Sequence, residues 1–94
     1  MLKYLKEHIV EEVDGAVDYM KKALEHKGTP DGCAFRKMAE AELGHANELT
    51  KMFHETERPA NMTSDEYAEV QKAVLDKYIT AMGQIEAMKK LYWS

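Results

Sequence analysis

The stretch Glu40-Ala41-Glu42-Leu43-Gly44-His45-Ala46-Asn47-Glu48-Leu49 decides how this chain is read. Around it, Phe35, Met38, Glu42, His45, Leu49 and Met52 recur at alternating spacings of three and four, with Phe53 adjoining. That is the period of a bundle seam on one helix face. Two members of the seam, Glu42 and His45, are residues an apolar core should reject. They stand at i and i+3, one step up the same face and about 4.5 Å apart along the axis. A carboxylate oxygen and an imidazole nitrogen so placed can bind one metal ion together.

Upstream, Leu5, Ile9, Glu12, Ala16, Tyr19 and Ala23 form a second stripe, widened by Val13, Val17, Met20 and Leu24. Glu12 breaks this stripe as Glu42 breaks the other. Downstream, Tyr67, Val70, Val74, Tyr78, Ala81, Ile85 and Met88 form a third, continued by Leu91 and Tyr92. It holds no acid, because Glu66, Glu69, Asp76 and Glu86 fall off it. Gly28, Thr29 and Pro30 supply a helix stop, an N-cap and a first helical residue. Thr63 and Glu66 have capping-box spacing. The sequence therefore predicts one domain, residues 1–94, with helices over about Leu2–His26, Thr29–Thr56 and Ser64–Tyr92. Short connections make sequence neighbours antiparallel.

Burying an unpaired carboxylate costs several kcal/mol, against a total stability of about 5–15 kcal/mol for a small domain. No Lys or Arg lies on the two seams near Glu12 and Glu42, so a bound cation is the simplest compensation. Carboxylate di-metal bundles take a Glu-x-x-His from each of two helices and a Glu from each of the others. Glu12, Glu42 and His45 make half that set. The third helix has nothing to add, so the sequence predicts two-fold pairing of copies to complete it. Such a donor set suits iron or manganese, and zinc also binds it.

The residues also carry a family resemblance. Glu12-Val13-Asp14-Gly15-Ala16-Val17-Asp18-Tyr19 resembles the first-helix ferritin pattern, a metal-binding Glu followed seven residues later by Tyr. Glu42-Leu43-Gly44-His45-Ala46-Asn47-Glu48-Leu49 resembles the second-helix pattern Glu-x-x-His-Ala-x-x-Leu. The match covers Ile9–Phe53 and looks like the ferritin-like superfamily. The short length is most similar to the encapsulated ferritins, whose half-bundles dimerise around the iron. The resemblance implies an all-α fold: a ferritin-like antiparallel hairpin plus a third helix, completed to a four-helix bundle by homodimerisation. It implies a di-iron ferroxidase that oxidises Fe(II) with dioxygen or peroxide. Glu12, Glu42 and His45 would hold the iron, Glu42 bridging and His45 terminal. Tyr19 would hydrogen-bond a ligand or act as a redox-active neighbour. A higher ring oligomer and residence in an encapsulin shell belong to the same family picture. The terminal Lys89-Lys90-Leu91-Tyr92-Trp93-Ser94 does not look like its shell-targeting tail.

Composition narrows the field further. Net charge is −4 with a pI near 5.5 and no basic patch, which argues against a nucleic-acid partner. No signal peptide or membrane-spanning run is read, and a cytoplasmic protein is expected. Cys33 is the single cysteine, which excludes CxxC chemistry and a rubredoxin-type iron centre. Other readings remain beside the ferroxidase. One is a rubrerythrin-like peroxide-reducing oxidase. Another is a non-catalytic scaffold dimer whose polar layer fixes register. His8, one turn before Glu12, is either an outer ligand or simply exposed. Gly15, Gly44 and Gly83 stand inside helices and mark either close helix approach, space for a ligand, or tolerated drift.

Overall fold

The computed structural model describes residues 1–94 and is all-helical. Its helices are α1 (Leu2–Glu25), α2 (Pro30–Glu55) and α3 (Ser64–Tyr92). The punctuation foreseen in the sequence sets these bounds to within one residue at each end. Gly28 holds the one positive φ of the chain, +82°, the left-handed turn that ends α1. The Gly32 N–H then donates to Thr29 Oγ1 at 3.1 Å, with Pro30 following the cap. At α3 the Glu66 N–H donates to Thr63 Oγ1 (3.1 Å) and the Thr63 N–H donates to Glu66 Oε1 (3.0 Å). That reciprocal box holds the Glu66 carboxyl below the usual carboxylate range, the backbone bond from Thr63 being the main cause. No helix is long and apolar enough to cross a membrane.

Helix α1 is the central element. It packs along both α2 and α3, which barely touch each other's backbone. The hairpin α1–α2 is antiparallel, and α3 returns to run alongside α1. Pairs along its length show this: Lys77 Nζ meets Asp14 Oδ1 at 2.8 Å, and Lys27 Nζ donates to the Leu91 carbonyl at 2.9 Å. Between α2 and α3 only side chains meet: His54 with Gln71, Asn47 with Tyr78, and Glu40 with Lys89. Leu5, Ile9, Val13 and Met20 of α1 fill the core with Phe53 of α2 and Val74 and Ile85 of α3.

The buried stripe of α2 differs from the seam read in the sequence. Ala39, Ala46, Thr50 and Phe53 face inward, while Met38 and Met52 are 46% and 49% exposed and His45 is also exposed. Glu42 and Leu49 lie between these faces, half-buried. The small side chains of Ala39 and Ala46 let α2 approach α1 closely. The larger Met38–His45–Met52 stripe is thereby turned about 100° away. So α2 carries two stripes, one packed on α1 and one unpartnered.

The molecule is correspondingly thin. Its radius of gyration is 15.3 Å and its extents are 51 × 18 × 15 Å, where a globular chain of this length has a radius near 12 Å. Only 16 of 94 residues are buried, so most of each helix surface is left uncovered within one chain.

Candidate metal centre

Glu12 projects from the middle of α1, and Glu42 and His45 from the middle of α2. The hairpin brings all three together. His45 Nδ1 lies 3.6 Å from Glu12 Oε2, with the His45 side chain 68% exposed and that of Glu12 23%. Glu42 is within hydrogen-bonding reach of Glu12. A proton shared with Glu12 pushes the Glu42 carboxyl up to about 7, with burial and the Glu12 charge adding to the rise and His45 opposing it. Glu12 Oε2 is closed off from solvent and, with both carboxyls ionised, accepts no hydrogen bond. The three groups thus form one contiguous cluster at the margin of the α1–α2 contact, beside the unpartnered stripe of α2. They do not converge into a cage: no three acidic, histidine or cysteine side chains of one chain stand together as a metal-holding group.

An open cavity of about 450 Å³ adjoins the cluster, lined by Glu11, Glu12, Asp18 and Glu42 with Gly15, Tyr19 and Lys22. Tyr19 lies in step with Glu12 along α1. Its ring stacks on Phe35 with centroids 6.3 Å apart. His8 is half-buried, packs its ring tilted against Tyr4 with centroids 4.3 Å apart, and has Nδ1 4.0 Å from Glu11 Oε2. It is therefore turned toward Glu11 and Tyr4.

Lys22 is the residue that sequence reasoning missed. It lines the same cavity as Glu42, so a cation is not absent from the neighbourhood of the acids. It nevertheless forms no ion pair with either one, and its Nζ instead lies 5.8 Å from the centre of the Phe35 ring. The signal was available: Lys22 is three residues beyond Tyr19, on the same face of α1.

No family model, curated protein or solved structure matches the chain. The resemblance drawn from Glu12, Tyr19, Glu42 and His45 therefore stands on those residues alone.

The shared proton has a measurable consequence for the metal-free protein. The folded Glu42 pKa near 7 exceeds the usual 4.5. Its contribution to stability is fully present below about pH 4.5 and is lost as the pH rises through 7. Glu42→Gln keeps a neutral hydrogen-bonding group at all pH values. Thermal melts should show the variant and the parent alike near pH 4, with the variant a few degrees more stable at pH 8. Parallel melting curves across that range would mean that Glu42 titrates as an ordinary exposed acid.

Proposed function

We propose that two copies pair through the Met38–His45–Met52 side of α2 and the adjoining edge of α1, and that the dimer oxidises Fe(II) to Fe(III). Iron is the substrate, held in pairs by Glu12, Glu42 and His45 of each chain. The carrying observation is the cluster itself. Two carboxylates are pressed together at the margin of the α1–α2 contact, Glu12 Oε2 accepts no hydrogen bond when both are ionised, and an imidazole is 3.6 Å away. Carboxylates forced to share a proton are strong candidates to exchange it for a divalent ion, and oxygen-rich sets with imidazole suit iron. The flanking methionines Met38 and Met52 are half-exposed, the kind of surface that a second copy buries.

Each of two Fe(II) ions gives one electron to dioxygen, which takes up two protons and leaves as hydrogen peroxide. Where peroxide is the oxidant, two protons and two electrons convert it to water. The protein's part is to hold the two ions close with hard oxygen donors, which favour the ferric state. Glu42 must release its shared proton as a cation binds, so binding acidifies an unbuffered solution. Tyr19 lines the same cavity and is the phenol placed there to donate a hydrogen bond or an electron.

A second reading has its own support. The Glu12–Glu42 proton and the Glu12–His45 pair neutralise the acids without any cation. They could serve only to set the register of a scaffold dimer. Metal analysis separates the two. The ferroxidase reading expects about two metal ions per dimer after anaerobic loading with Fe(II) and desalting, and none in Glu42→Ala. A stable dimer that takes up no iron would favour the scaffold and remove the ferroxidase.

A further inference from the structure

We infer that Gly15 is a positioning residue for Glu42: its missing side chain leaves the berth on α1 in which the Glu42 carboxylate rests beside Glu12. The inference rests on the reading of Glu42 as a ligand and deepens it. A Cβ placed on Gly15 would stand 3.1 Å from Glu42 Oε2, 3.4 Å from its Cδ and 3.8 Å from Oε1. All three nearest atoms thus belong to one carboxylate. The same methyl group at Gly44 or Gly83 would meet nothing within 4 Å.

Backbone conformation gives no reason for glycine here, because the only positive φ is at Gly28. A glycine inside a helix weakens it relative to alanine. What position 15 gains is distance: the Glu42 carboxylate approaches the α1 backbone more closely than ordinary van der Waals contact with a Cβ permits. Gly15 also lines the cavity between Glu12 and Glu42. Metal–ligand distances tolerate only about 0.2 Å of departure from their working values. A methyl group that moved this carboxylate by a few tenths of an ångström would therefore act on binding before it acted on folding. The displaced atoms are the free end of a flexible side chain, so the fold itself has room to adapt.

The test uses the full chain and Co(II), whose visible absorption reports oxygen and nitrogen ligation. Gly15→Ala is expected to raise the melting temperature of the metal-free protein by about 4 °C while weakening Co(II) binding about 10–100-fold. Glu42→Asp withdraws the carboxylate by one methylene, out of reach of the added methyl. The double variant should therefore bind Co(II) no more weakly than Glu42→Asp alone. Wild-type affinity in Gly15→Ala, or additive losses in the double variant, would overturn the inference with the metal site intact. If the parent binds no Co(II), the metal reading fails, and crystal structures of the parent and Gly15→Ala decide the berth. A shifted Glu42 carboxylate upholds it and an unmoved one overturns it. Failure of Gly15→Ala to fold would also count against it, since the clash would then lie with something more rigid than a carboxylate.

Discussion

Glu12→Ala and His45→Ala should each abolish Fe(II) oxidation, lowering the rate of ferric product formation at least ~100-fold, to the level of iron in buffer. The size follows from the cost of a missing ligand: a loss of several kcal/mol of metal or transition-state binding is two or more factors of ten. Neither variant has reason to unfold. His45 is mostly exposed, and surface truncations usually change stability by no more than about 0.5 kcal/mol. Removing Glu12 ends the proton sharing with Glu42 and frees Glu42 from its neighbour's charge, leaving a half-buried carboxyl that solvent can reach. Circular dichroism should therefore return parental helix content for both. Glu69→Ala, on an exposed part of α3, serves as the matched loss of an acid away from the cluster and should oxidise iron normally. Parental turnover in either Glu12→Ala or His45→Ala would remove these residues from the chemistry.

The three helices were legible because their boundaries are local. Gly28, Thr29, Pro30 and the Thr63–Glu66 box each act within one turn of their own helix, and local chemistry is what a sequence displays most directly. The packing of α2 was less legible. Met38 and Met52 are larger and more apolar than Ala39 and Ala46, so they read as core. The chain packs the small residues against α1 and leaves the large ones outside. Periodicity alone cannot tell which of two adjacent stripes packs against the rest of the chain, since both recur every three or four residues. The joining of Glu12 with Glu42 and His45 was readable from their mid-helix positions across a hairpin. Gly15 was singled out in the sequence with Gly44 and Gly83, but which of the three faces a neighbouring side chain depends on the gap between two helices and was not readable. Lys22 escaped notice because the stripe was followed from Tyr19 to Ala23, although Lys22 stands three residues beyond Tyr19 and lines the same cavity.

Metal should tighten the dimer about 10⁴-fold. At free metal 100 times the dissociation constant, each bound ion stabilises the form that holds it by about 2.7 kcal/mol, so two ions contribute about 5.4 kcal/mol to the pair. Sedimentation in Zn(II), which cannot be oxidised under these conditions, should show the weight-average mass rising from monomer toward dimer. Glu42→Ala should not respond. Linkage makes the effect reciprocal: whatever metal does for pairing, pairing does for metal affinity. Met52→Arg places a charge on the exposed stripe without touching Glu12, Glu42 or His45. In the proposed pairing the charge would be buried opposite the second copy, which is costly without a partner. This variant should be monomeric and inactive with all of its own ligands in place, because each chain supplies only half of the donor set. A Met52→Arg monomer that oxidised Fe(II) at the parental rate would show that one chain suffices. The unpartnered stripe of α2 would then need a different occupant.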